Sequence, residues 1–120
     1  NVAMNKKILK IRKELDKLDN YFLDLIKKRT KLVDQVLSNK KYKKDIIDQK
    51  RINIILKNIR KKSIRKKIDP KITNKIWISM IRAYIDYEFR EFKKKWLFAM
   101  WRKFFFNKKL MLSCIGIVFF

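Results

Sequence analysis

The 120-residue sequence contains no histidine, and glycine, proline and cysteine occur once each. Without histidine a Ser-His-Asp triad is excluded, and a zinc site is close to excluded. Cys114 has no second cysteine with which to close an intrachain disulfide. One Gly and one Pro are too few for the turns of an all-β fold. The longest apolar run, Leu110 to Phe120, is about half the roughly 20 residues that a spanning helix requires. Nor do the first residues carry the apolar h-region of a secretory signal. The expectation is a cytoplasmic protein whose natural start is Met4, with Asn1 to Ala3 an upstream remnant.

Acidic residues are also scarce: 11 Asp and Glu face 34 Lys and Arg, for a formal charge of +23. Such an excess points to an anionic partner, whether nucleic acid, acidic lipid or a small anion. Lys, Ile and Asn are abundant together, however, as expected when AT-rich codons settle into tolerant surface positions. The charge total alone therefore does not choose a partner.

What remains is a chain patterned for helices. Ile8, Ile11, Leu15, Leu18, Phe22, Leu25, Leu32 and Val36 follow one another in steps of three, four or seven. That is the seam of one long helix, uninterrupted to about Asn39. A lysine-rich connection follows, Lys40 to Lys44. A second helix is predicted from about Asp45 to Arg65, with Ile47, Ile54, Ile55 and Ile59 inward. Asp69 and Pro70 form a start signal for a third, the first capping free backbone N–H groups and the second suiting the first helical position. The third is predicted to reach about Lys95 and to bury Ile72, Ile76, Trp77, Ile81, Ile85 and Phe89. A chain this short buries a single helical layer poorly, and pairing with a second copy is the natural remedy.

Chemistry enters where the seam is broken. The core position after Leu25 is Arg29, and a cation on a buried stripe is costly unless an anion meets it. An internal ion pair would meet that need, and so would an anionic ligand. If the helix continued that far, Lys40 would lie about 16 Å further on and about 20° around it, leaving a gap suited to a small dianion. Arg12 lies about 100° from Arg29 on the same wheel, a poor partner within one chain but available to a second. Asp48 and Arg51 are spaced i,i+3 beside apolar residues, an arrangement common to surface pairs. Glu88 follows Trp77, Ile81 and Tyr84 in steps of four, three and four. It is either the partner of a nearby lysine or a carboxyl group kept protonated as a hydrogen-bond donor.

These elements resemble the all-helical chorismate mutases (chorismate mutase type II) from about Asn5 to Lys95. Ile11-Arg12-Lys13-Glu14-Leu15-Asp16-Lys17-Leu18-Asp19 is similar to that family's opening pattern. Lys28-Arg29-Thr30-Lys31-Leu32-Val33 is similar to its second pattern, with Lys40 at the matching distance. Asp48-Gln49-Lys50-Arg51 followed by Ile55-Leu56 resembles its "D..RE..VL" element. The resemblance implies an all-α, three-helix chain in an intertwined homodimer that rearranges chorismate to prephenate for phenylalanine and tyrosine synthesis, without cofactor or metal. It implies that Arg29 and Arg51 hold substrate carboxylate and nearby polar groups, and that Arg12 enters the partner's site. Lys40 would stabilise charge on the ether oxygen, and Asp48 would hold the ring hydroxyl or organise the loop. Catalysis would rest on Lys40, Glu88 and Arg29, with Tyr84 donating from the third helix. Three positions depart from the commonest pattern: Ile52 stands for the usual Glu, Tyr84 for a small hydroxyl residue, and Glu88 for the usual Gln.

Two rivals remain. One is an isochorismate pyruvate-lyase of the same fold. The other is a basic helical dimer binding nucleic acid, which leaves Arg29 on the seam without a role, so nucleic acid is not the expected partner. After Lys95 the composition shifts to Trp96, Phe98, Trp101 and Phe104 to Phe106 among basic pairs. Residues 96–120 fit a peripheral membrane contact, a cover for the dimer's apolar surface, or an out-of-frame or read-through extension of a domain comprising residues 4–95. The abruptness of the shift favours the last.

Overall fold

The computed structural model describes residues 2–115, and among them the chain is helical with short connections and no strand. It divides into two units, residues 1–39 and 40–120. The first is a single helix, α1 (Val2–Ser38), in which no Gly or Pro breaks the backbone ladder. Its seam is open to solvent: Leu15 is 53% exposed, Phe22 60% and Leu32 60%.

The second unit opens with an extended Tyr42 and a 3-10 turn, Lys43–Asp45. Ile46, buried to 3% exposure, anchors this turn. The next helix, α2 (Gln49–Arg65), begins later than the predicted Asp45 because Asp48 is its N-cap. The Asp48 Oδ1 accepts from the Arg51 N–H at 3.0 Å, satisfying one of the donors that a helix start leaves open.

The inner face of α2 also differs from expectation. Ile52, Ile55, Leu56, Ile59 and Ser63 are the shielded positions, whereas Ile47 and Ile54 are each 51% exposed. The shielded set follows the spacing of one helical stripe, and α2 packs on the last helix, α3 (Pro70–Ile115).

The corner between α2 and α3 is closed by backbone bonds. The N–H of Lys67 donates to Ile64 O at 3.1 Å, and that of Ile68 to Ser63 O at 2.9 Å. This is a Schellman turn, in which the residue after the cap is left-handed. Lys67 takes that conformation with φ 57°, in a place glycine usually fills. Behind the corner, Ser63 donates to Ile59 O at 2.6 Å and shares a 2.8 Å hydrogen bond with Thr73. Both residues are buried, and their small hydroxyls let the two helices approach.

Asp69 and Pro70 start α3 as the sequence predicts, with Asp69 Oδ1 accepting from the Lys71 N–H at 2.9 Å. Trp77, Ile81, Ile85 and Phe89 are shielded in part, as predicted. Ile72 and Ile76, 56% and 49% exposed, are not part of the inner face. The helix does not stop near Lys95 but runs on to Ile115, because no residue in that stretch interrupts the ladder. The end of the apolar run, residues 116–120, lies outside the described residues.

Candidate active site

Lys40 is the first candidate whose setting departs from the sequence reading. Since α1 ends at Ser38, Lys40 lies beyond the helix and its wheel position relative to Arg29 does not apply. Instead the chain from Lys40 to Ile46 curls back, and the lysine Nζ donates to Ile46 O at 3.4 Å. The same ammonium donates to Glu88 Oε1 at 3.2 Å. The two side chains are only 18% and 9% exposed, so this ion pair sits mostly out of water. Of the two sequence readings of Glu88, the lysine partner is the arrangement present.

Glu88 is delivered to this place by the inward stripe of α3. Tyr84, one turn earlier, is half-buried and meets Tyr87 edge to face with centroids 6.4 Å apart. Lys43, from the same connection as Lys40, sits 5.7 Å over the Phe89 ring. The connection thus lays two lysines on successive residues of α3, one against a carboxylate and one against an aromatic face. Beside Phe89 a groove of about 760 Å³ opens, lined by Lys43, Phe92 and Trp96 among others. It does not include Lys40 or Glu88.

Asp48 and Arg51 lie at the start of α2, both exposed. The cap bond explains Asp48 without any ligand: it fixes where α2 begins, two residues after the carbonyl that holds Lys40. Ile52 follows on the half-buried side of α2, so the residue standing where the family usually has Glu is committed to packing.

Arg12 and Arg29 belong to α1, exposed and half-buried respectively. At 1.5 Å per residue they are about 26 Å apart along the helix, too far to serve one small ligand. Lys40 and Glu88 are brought together, with Tyr84 one turn before Glu88 on α3, while the two arginines of α1 are separated from each other.

Sequence reasoning missed the pairing of Ser63 with Thr73 and the return of the Lys40 ammonium to Ile46. The first had a signal, since Ser63 and Thr73 flank the capped corner at equal remove. The second had none. Among the described residues no cluster of Cys, Asp or Glu could hold a metal ion.

No curated relative and no solved structure matches the chain. Residues 11–89, more than half of its length and a span that includes Arg12, Arg29, Lys40, Asp48, Arg51, Tyr84 and Glu88, match the family model described as chorismate mutase type II, and the chain belongs to that family.

Proposed function

We propose that the chain is a chorismate mutase that rearranges chorismate to prephenate within a homodimer. The observation that carries the reading is the Lys40–Glu88 pair, a rigidly placed cation and carboxyl group within the family-matched span. In the rearrangement the ether C–O bond breaks as a C–C bond forms, and every atom is retained. Such a reaction gains from a restrained conformer and from charge placed where the transition state polarises. The Lys40 ammonium is suited to the developing negative charge on the ether oxygen. Arg29 and Arg51 bind substrate carboxylate and polar groups, and Tyr84 adds a hydroxyl donor.

Glu88 serves as a second donor to the ether oxygen when it carries a proton. In the free protein it accepts from Lys40 instead, so substrate and proton must together replace that bond. Replacing Glu88 by Gln supplies an amide donor at the same place.

The dimer is supported by α1, whose apolar seam is more than half exposed at most positions. Arg12, too distant from Arg29 to share its ligand, then serves the second copy's site. Ile52 removes a ligand for the ring hydroxyl, and that observation favours isochorismate elimination as the second reading.

The test is the loss of chorismate absorbance with purified protein, with prephenate identified as product. Turnover abolished by Arg29→Ala or Lys40→Ala supports the mutase. A folded protein inert on chorismate that releases pyruvate from isochorismate overturns it in favour of the lyase.

A further inference from the structure

We infer that the distal part of α3, from Trp96 onward, is a docking surface for anionic lipid bilayers. The residues up to Glu91 balance some of their charge, but no carboxylate side chain follows Glu91, and seven lysines and arginines lie between residues 93 and 109. On the helix wheel Trp96, Met100, Phe104, Leu97, Trp101, Phe105 and Phe98 fall in that angular order across an arc of about 200°. Lys95, Arg102 and Lys103 lie outside the arc, Arg102 and Lys103 near its two edges, while Lys93 and Lys94, before Trp96, project within its span. All seven residues of the arc are exposed: Trp101 is 59% exposed, Phe104 69% and Phe105 56%.

Within the arc the rings are already organised. Trp101 stacks on Phe105 with centroids 5.4 Å apart and on Phe98 at 6.4 Å. Arg102 lies 5.9 Å over the Phe98 ring at the edge of the arc. An aromatic face with cations on its reverse and at its flanks is the composition of a helix lying in the headgroup plane. Long lysine and arginine stems can then reach past the apolar face to the phosphates. Among the described residues no helix is long and apolar enough to cross a membrane, so the contact is with the surface.

Charge decides between occupants. A second copy of this segment would bring its own excess of cations against the first, whereas an anionic headgroup layer complements them. Single-stranded nucleic acid would need several cations set among the rings of one groove, and here Arg102 meets the Phe98 ring from the edge while Lys103 lies across the helix from the stacked rings.

The test uses the full chain with vesicles of phosphatidylcholine alone and of phosphatidylcholine mixed with phosphatidylglycerol. The expected result is co-sedimentation with the mixed vesicles, a blue shift of tryptophan emission, and weaker binding as salt rises. A Trp101→Ser, Phe105→Ser variant of unchanged helicity should partition about tenfold less, and Trp101→Phe, Phe105→Leu should retain binding. Should the serine variant fail to fold, Arg102→Gln, Lys103→Gln provides a second reading, with weakened partition to mixed vesicles. The proposal is overturned if mixed vesicles do not retain the protein, or if the serine variant binds them as tightly as the parent. It is overturned in favour of nucleic acid if an oligonucleotide, held through moderate salt, is lost in the serine variant.

Discussion

The two parts of α3 share one backbone and little else. Up to Phe92 the helix shields one side against its own unit, with Thr73 and Glu88 buried and Ile72 and Ile76 in water. From Lys93 onward every side chain described is exposed, including Trp96, Phe98, Trp101 and Phe104 to Phe106. Continuity of hydrogen bonding along a helix therefore says nothing about continuity of the core. A helix extends wherever no residue stops it, whereas packing requires a facing surface.

The largest effect that would separate the two parts is on catalysis. Lys40→Ala removes the cation paired with Glu88, and turnover of chorismate should fall about 10² to 10³-fold, as when a single transition-state donor is deleted. Arg102→Ala, in the distal part, should leave turnover unchanged when the two variants are assayed side by side. On stability the proximal part is again the sensitive one. Thr73→Val leaves Ser63 with one fewer buried partner and should cost about 1–2 kcal/mol in urea unfolding. Lys67→Gly relieves a left-handed backbone at the corner and should add about 0.5–1 kcal/mol in the same measurement. The smallest effect comes from ending the chain after Lys95. Turnover and helicity of the remainder should be retained while vesicle binding disappears, and loss of turnover would show that the two parts are not separable.

Much of this was readable in the residues, and the exceptions have physical causes. The start of α3 was legible because Asp69 and Pro70 act locally, through a cap and a fixed φ. The course of α1 was legible because its apolar steps hold one phase over many turns. The inner face of α2 was not, since isoleucines at 47, 52, 54, 55 and 59 surround the helix and allow more than one phase. The neighbouring helix chose Ile52 over Ile54, and periodicity within α2 contains no record of that choice. The end of α3 was misplaced because a change in composition was taken for a change in structure, although aromatic residues lower helix propensity only slightly. At the site, Glu88 was placed inward by its spacing from Trp77, Ile81 and Tyr84. Its link to Lys40 depends on how a connection folds, which spacing does not encode.

That connection gives the site an unusual kind of adjustability. Lys40 is held by a tether that closes on Ile46, so the position of its ammonium is set by the number of residues in the arc and not by any helical face. One residue inserted between Lys41 and Lys44 would lengthen the arc by up to about 3.5 Å. That exceeds the whole tolerance of a hydrogen bond, yet it would disturb neither the cap at Asp48 nor the corner at Lys67. Drift in a few loop residues would therefore move the Lys40 ammonium away from Glu88 while the helices that carry the rest of the proposed site persist.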